Sequence, residues 1–194
     1  MAINRRLWYV AFPIFLGCHS HVKYGLPIPP NVIPWSADSI VHWRDFQGRP
    51  PFITDKIATT ATLINYKPIF LGNVIKVEVI AYFLKDSSWK VRRPLNSYLL
   101  NHERRHFDIS EITARQIRKY LQDWRGGSLY DYDFYVHIGE KTVFIDSLNA
   151  RYDLETDHAK DTIMQGMWNR KIDSLLEAYK RYETNTFKVK IGKR

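Results

Sequence analysis

Two histidines spaced four residues apart give this sequence its clearest chemical signal. His102 and His106 stand in the pattern H-E-x-x-H, with Glu103 directly after the first histidine. On a helix, residues four apart lie about one turn apart on one face, so both imidazoles can reach one Zn²⁺ at about 2.0–2.1 Å. A carboxylate beside the first ligand can take a proton from a zinc-activated water and pass it to a leaving amine. The spacing predicts a catalytic zinc site with His102 and His106 as ligands and Glu103 as general base.

A catalytic zinc needs a third protein ligand and one open position. No glycine follows His106 to break the helix, and Asp108 and Glu111 lie about 200° and 140° around it from His106. We therefore assign those two acids structural roles and expect the third ligand from another element. His158 is the preferred candidate, because it lies in an acidic segment before a later helix and could turn towards the first one. The alternatives are three carboxylates of the same segment, Asp153, Glu155 and Asp157.

Peptide hydrolysis also requires a hydrogen-bond donor for the oxygen that gains negative charge. Tyr152 is the candidate donor in this segment. The alternative for Tyr152 is packing, which is the commoner role of an aromatic residue near a turn.

Hydrophobic periodicity predicts the elements that must position these residues. Residues 95–124 carry apolar side chains at helical spacing and predict one long helix that contains the H-E-x-x-H pattern. Residues 75–83 begin with alternating apolar and polar side chains and predict a strand with one buried face. Further strands are expected at 57–66 and 88–91. We expect a hairpin at 131–145 and a second amphipathic helix at 162–182. The predicted fold is α+β and zincin-like, a small, mostly antiparallel sheet packed on a long active-site helix, with a second, C-terminal helix.

Composition favours a single globular domain, which we place at residues 35–194. The chain has 194 residues, 45% of them hydrophobic, and this is enough to bury one core. The single cysteine, Cys18, excludes an intramolecular disulfide and a cysteine-rich metal site. The formal net charge is +9, but the basic residues form short groups and match no nucleic-acid-binding module. We therefore predict no nucleic-acid partner, and binding of another anionic polymer stays open as an alternative.

The first eighteen residues have the layout of an export signal. Two arginines precede an apolar run of about ten residues, which is shorter than the roughly twenty that a transmembrane helix needs. The sequence Phe15-Leu16-Gly17-Cys18 resembles the cleavage box of bacterial lipoproteins. We predict a signal peptide at 1–17 and a mature chain that begins at a lipidated Cys18. A non-lipidated secretory signal and an apolar N-terminal strand or core helix are the alternatives.

Four prolines between residues 18 and 34 predict an extended tether between the anchor and the domain. Together with the export signal, this tether predicts a location in the cell envelope. The protein would be attached to a membrane through lipidated Cys18, or otherwise secreted.

Several stretches resemble one bacterial family, a domain of unknown function described as predicted secreted zinc-dependent proteases. The resemblance lies in residues 99–115 around the H-E-x-x-H pattern and in the segment Tyr152-Asp153-x-x-Thr156-x-His158, and it extends over most of residues 35–182. Ala159 stands where such proteins usually have glycine. The resemblance implies a zinc site and a peptidase, but it implies nothing about specificity.

These observations predict an exported zinc metalloprotease that hydrolyses peptide bonds of a peptide or protein substrate in the cell envelope. His102, His106 and His158 would bind Zn²⁺, Glu103 would activate the water, and Tyr152 would serve as the oxyanion donor. Two alternatives remain. One is a zinc hydrolase of another envelope bond, and the other is a non-catalytic envelope binding module.

Overall fold

A five-stranded sheet is covered on one face by the longest helix of the protein. The structure is a computed structural model that describes residues 20–24, 28–71, 74–123 and 132–190. The predicted signal peptide and Cys18 lie outside these ranges. In chain order the strands are β1 (Ser20–Tyr24), β2 (Val32–Pro34), β3 (Ala58–Thr59), β4 (Thr62–Leu71), β5 (Val74–Leu84), β6 (Trp89–Lys90) and β7 (Thr186–Lys190). The helices are α1 (Ser97–Asp123), α2 (Tyr132–Glu155) and α3 (Thr162–Ala178).

The β4–β5 hairpin forms the centre of the sheet. Strand β1 pairs in parallel with β4, while β2 and β7 pair antiparallel with the C-terminal and N-terminal halves of β5. The short strands β3 and β6 form a separate antiparallel pair. The alternation expected for 75–83 is confirmed, because every second residue from Ile75 to Phe83 is buried against the helices. The chain is therefore α+β with a mostly antiparallel sheet, as the sequence predicted.

Helix α1 lies between the sheet on one side and α2 and α3 on the other. More than half of its residues are buried, including apolar residues such as Ile109, Ile112 and Ile117. The long helix expected at 95–124 is thus confirmed, as is a helix that begins at residue 162. Within the described ranges, every helix is too short or too polar to cross a bilayer.

The hairpin expected at 131–145 is wrong, because this stretch belongs to α2. The alternation that predicted it covers only residues 132–136 and 143–145, and such short patterns cannot distinguish a strand from one part of a helix. From 132 to 155 the chain contains no proline and only one glycine, so nothing in the sequence stops a helix of this length. As a consequence, the described part of the chain forms three α-helices rather than two.

The extended tether expected for 18–34 also requires correction. Residues 20–24 and 32–34 pair with β4 and β5 as parts of the sheet. Pro29 and Pro30 lie between these two strands, and Pro34 ends β2 at the margin of the sheet, where a missing N–H group is tolerated. Strand β7, in the basic C-terminal stretch, was not predicted at all.

A buried ionic cluster joins the C-terminal half of α1 to its surroundings. Arg118 is fully buried and donates to both carboxylate oxygens of Glu111, at 2.8 and 3.2 Å, and to the carbonyl oxygen of Val79 at 3.0 Å. Arg115 donates to Glu111 at 2.9 Å, and Asn185, just before β7, accepts from Arg118. Glu111 therefore has the structural role that its position on the helix predicted.

We expect Arg118→Met to lower the free energy of unfolding by about 3 kcal/mol or more, because it leaves the buried Glu111 carboxylate with Arg115 alone and removes the donor to several buried carbonyl groups. The neighbouring Lys119 pairs with Asp123 in solvent, so Lys119→Met should change stability by at most about 0.5 kcal/mol. Urea unfolding of both variants measures the difference. Equal, small effects would show that the buried cluster does not hold α1 in place.

Candidate metal centre

The N-terminal half of α1 presents both motif histidines to the same buried point. Each is only 2% exposed, and their Nε2 atoms lie 3.3 Å apart. Helix α2 crosses this face of α1 and brings in Asp153, whose Oδ1 lies 3.1 Å from Nε2 of His102 and 2.9 Å from Nε2 of His106. Three atoms that could ligate a metal therefore form a triangle with sides of 2.9, 3.1 and 3.3 Å.

A chain of hydrogen bonds fixes the tautomer of His102. Arg105 Nε can only donate, so Oδ1 of Asn169 accepts from it at 3.2 Å. The same oxygen accepts from Gln165 Nε2 at 3.0 Å, and that amide group also donates to the hydroxyl of Tyr152. Oε1 of Gln165 is consequently the atom that faces His102 Nδ1, at 2.9 Å. Nδ1 must carry the hydrogen, which leaves a lone pair on Nε2 of His102.

His106 is held in the same way by α2. Its Nδ1 lies 2.9 Å from Oδ1 of Asn149, one helical turn before Asp153. With the hydrogen on Nδ1, the lone pair of Nε2 points at Asp153 and at the other histidine. Each imidazole thus has an amide oxygen next to its Nδ1 and the Asp153 carboxylate next to its Nε2.

With both imidazoles neutral, three acceptors that face one another at 2.9–3.3 Å repel unless a proton or a metal ion lies among them. In a tetrahedral site with bonds of about 2.0–2.1 Å, ligand atoms lie about 3.3 Å apart, close to the spacing of this triangle. Burial alone would raise the pKa of Asp153. When the histidine Nε2 atoms carry protons in place of a metal, the charge and hydrogen bond of His106, the hydrogen bond of His102 and the charge of Lys56 hold that pKa well below its usual range. Asp153 is therefore an anion at neutral pH, and the group fits a divalent metal ion that displaces a proton on binding.

Glu103 lies beside this group and is itself buried, with 4% of its surface exposed. Thr60, in the link between β3 and β4, places its hydroxyl 2.8 Å from Oε2 of Glu103 and 3.1 Å from the backbone oxygen of the same residue. A hydroxyl that donates to one carboxylate oxygen fixes the side chain and leaves the other oxygen for a second partner.

Glu103 and the three-residue group open into one cavity of about 150 Å³. Its walls come from the loop before β3, from β3, from α1 and α2, and from the turn between α2 and α3. The lining residues are Asp55, Lys56, Ile57, Ala58, Leu99, His102, Glu103, His106, Asp153, His158 and Lys160. A substrate that entered the cavity would meet the candidate metal group and the Glu103 carboxylate together.

The third candidate ligand is Asp153. The sequence favoured His158 for this position and kept Asp153 as one of three alternatives. The side chain of His158 is half exposed, and its Nδ1 lies 3.5 Å from Oδ2 of Asp153, outside the group of three. The reason is that α2 continues to Glu155, which carries Asp153 on the face that meets α1. Glu155 accepts from Trp168 and Arg151. Asp157 pairs with a lysine at the surface.

Tyr152 is fully buried and does not line the cavity. Its ring stacks on His102 at 4.6 Å, and its hydroxyl lies 3.4 Å from the backbone oxygen of that residue while it accepts from Gln165. Burial is also the main cause that raises the pKa of its phenol. The structure thus places Tyr152 behind His102, where it supports the ring, and not on the side where a substrate oxygen would lie.

Sequence reasoning missed the residues that orient the two histidines and Glu103. These residues are Asn149, Gln165, Asn169 and Thr60. The helical spacing of Asn149 and Asp153, and of Gln165 and Asn169, is visible in the sequence. However, the spacing has meaning only when α2 is recognised as a helix that faces α1.

Comparison of the chain with protein-family models, curated proteins and solved structures found no match. The resemblance to predicted secreted zinc-dependent proteases therefore stays a prediction from the residues quoted above.

We expect Asp153→Ala to abolish tight metal binding, whereas His158→Ala should retain one metal ion per chain. The reason is that, among the residues that the structure describes, only Asp153 forms a metal-ligand group with both histidines. Gln165→Ala should weaken binding by about 10–100-fold, because it frees the His102 ring. Elemental mass spectrometry after dialysis against zinc measures the first two variants, and a competition titration measures the third. Loss of metal in His158→Ala but not in Asp153→Ala would reverse the assignment.

The turn that carries His158 contains three consecutive left-handed residues, Asp157, His158 and Ala159, with φ of 45°, 51° and 71°. Glycine adopts this conformation without steric cost. We expect Ala159→Gly to raise the free energy of unfolding by about 0.5–1 kcal/mol and to raise Tm by a few degrees. Ala150→Gly, at an exposed position of α2, should lower stability by about 1 kcal/mol. Destabilisation of similar size in both variants would contradict this account of the turn.

Proposed function

We propose that this chain is a zincin-like metallopeptidase that hydrolyses peptide bonds with Zn²⁺ held by His102, His106 and Asp153. The observation that carries the proposal is a group of three acceptor atoms in a cavity that also contains the Glu103 carboxylate. Two of these atoms belong to histidines whose Nδ1 atoms lie beside amide oxygens. The identity of the metal as zinc, a location of the protein in the cell envelope, and a peptide or protein substrate are parts of this proposal.

The donor set supports a catalytic rather than a structural metal. Two imidazoles and one carboxylate leave a fourth position open, and that position would face the cavity. The same three donors also suit non-haem Fe(II). The carboxylate of Glu103, beside the open position, favours hydrolysis, because a redox reaction needs no such base.

When bound, the metal would lower the pKa of a water molecule and polarise the scissile carbonyl. Glu103 would take one proton from the attacking water as the water oxygen bonds to the carbonyl carbon. Glu103 would then pass this proton to the nitrogen as the C–N bond breaks, so that one water is consumed and a carboxylic acid and an amine are formed. Thr60 holds Glu103 in place through both steps. In this proposal Tyr152 has a positioning role behind His102 and not the donor role for which it was the candidate in the sequence.

Two other functions compete with peptide hydrolysis. A zinc hydrolase of another envelope bond would use the same residues, and substrate profiling distinguishes it. A non-catalytic envelope binding module would hold the metal without an exchangeable position. The open cavity beside Glu103 favours an enzyme over this last function.

We expect Glu103→Gln to keep one zinc per chain and to lose peptide cleavage by about 10²–10⁴-fold, because the amide has the shape of the carboxylate but cannot accept the proton. Cleavage of a quenched fluorescent peptide library by the zinc-loaded protein provides the measurement. Glu177→Gln, at an exposed position of α3, is the matched control and should leave cleavage unchanged. Undiminished cleavage by Glu103→Gln would remove Glu103 from the reaction.

A further inference from the structure

The donor for the developing oxyanion has to come from a residue other than Tyr152. A charged or polar N–H or O–H group that faces the open position would serve. Besides the two histidines of the metal group, the cavity offers three nitrogen-bearing side chains, those of Lys56, His158 and Lys160. The side chain of Lys160 is 70% exposed and pairs with Asp157 at the rim. That of His158 is half exposed. Lys56, at 24% exposure, is the most enclosed of the three.

Lys56 lies against the same carboxylate that faces the histidines. Its Nζ is 3.4 Å from Oδ2 of Asp153, while Oδ1 of that residue points at His102 and His106. Oδ1 of Asp153 therefore faces the candidate metal position, and Oδ2 faces the ammonium group of Lys56. An ammonium group carries three N–H bonds, and Asp153 accepts from one of them.

The backbone around Lys56 holds the side chain at this wall. The N–H of Lys56 donates to Oγ1 of Thr54 at 3.1 Å, and the next two residues, Ile57 and Ala58, lead into β3 and also line the cavity. A long side chain that begins at an anchored backbone and ends at Asp153 keeps its charge inside the cavity.

We propose that Lys56 donates to the substrate oxygen that becomes negatively charged during hydrolysis. This inference rests on the proposed function. A fixed cation in a partly enclosed cavity stabilises such an oxygen more than water does, and removal of one donor of this kind costs about 10²–10³-fold in turnover. The ligands that this pair of charges favours are those that present an anionic oxygen next to the metal, including tetrahedral phosphate and phosphonate groups that resemble the transition state.

A purely structural role for Lys56 makes a different prediction. If the ammonium group served only to neutralise Oδ2 of Asp153, its loss would disturb the ligand and weaken metal binding. If it donates to the substrate, its loss leaves metal binding nearly intact and affects the oxyanion alone. The two roles therefore separate when metal affinity and oxyanion affinity are measured independently.

The experiment uses the full chain loaded with zinc, as wild type, Lys56→Met, Lys56→Arg and Lys180→Met. Lys180 pairs with Glu177 at the surface and provides the control for loss of one positive charge. Three quantities are measured: zinc affinity by competition titration, affinity for inorganic phosphate by calorimetry, and kcat and KM on a peptide that the wild type cleaves.

For Lys56→Met we expect zinc affinity within about threefold of wild type, phosphate affinity lowered at least about tenfold, and kcat lowered about 10²–10³-fold with little change in KM. Lys56→Arg should restore part of the phosphate affinity and of kcat, and Lys180→Met should match the wild type. Unchanged phosphate affinity in Lys56→Met, or a tenfold loss of zinc affinity that accounts for the whole effect, would overturn the proposal. If the wild type binds zinc but cleaves no peptide, the peptidase proposal fails, and the phosphate titration still decides the role of Lys56.

Discussion

Helix α1 is packed against the sheet and two other helices, and the polar groups on its buried faces need partners inside the protein. This constraint accounts for most of the specific contacts in the structure. A buried charge without a partner costs several kcal/mol, so the folded chain has to bring partners from distant parts of the sequence. In the C-terminal half, Glu111 obtains them from two arginines of the same helix, and those arginines contact carbonyl groups of the sheet and of the C-terminal segment.

In the N-terminal half of α1 the same constraint leads to a different result. Amide groups from α2 and α3 satisfy the outer nitrogens of both histidines, and so direct their lone pairs towards Asp153. These three acceptors need a positively charged partner, which is either a proton on a histidine Nε2 or a metal ion that displaces it. The two halves of one helix therefore contain a closed ionic cluster, complete without any ligand, and an open cluster that a metal ion completes.

The sequence was sufficient to predict the parts of this arrangement that depend on long, regular patterns. The strand around Val79 and the helix around His106 each repeat one period over many residues, and both predictions were confirmed. The third ligand could not be decided in the same way, because its identity depends on where α2 ends. If α2 is read as a hairpin, Asp153 has no defined direction, and His158 becomes the attractive choice. Because the helix continues to Glu155, Asp153 faces α1, and His158 falls in the left-handed turn beyond it.

The hydrogen-bond chain from Arg105 to His102 lay further beyond sequence reasoning, since it joins residues more than sixty positions apart through the packing of α1 on α3. No local pattern encodes that packing. The sequence does contain the residue types, with Asn149 and Asp153 at helical spacing on α2 and two amides at helical spacing on α3. Their contacts with the histidines are defined only when the three helices pack together.

The central claim is that His102, His106 and Asp153 hold one metal ion. Diffraction from crystals of the zinc-loaded protein, recorded on both sides of the zinc absorption edge, tests it most directly. The account predicts one anomalous peak at about 2.0–2.2 Å from Nε2 of both histidines and from Oδ1 of Asp153. A peak bonded to His158 in place of Asp153 would contradict the ligand assignment. The absence of any peak at this cluster in fully loaded protein would contradict the metal centre itself.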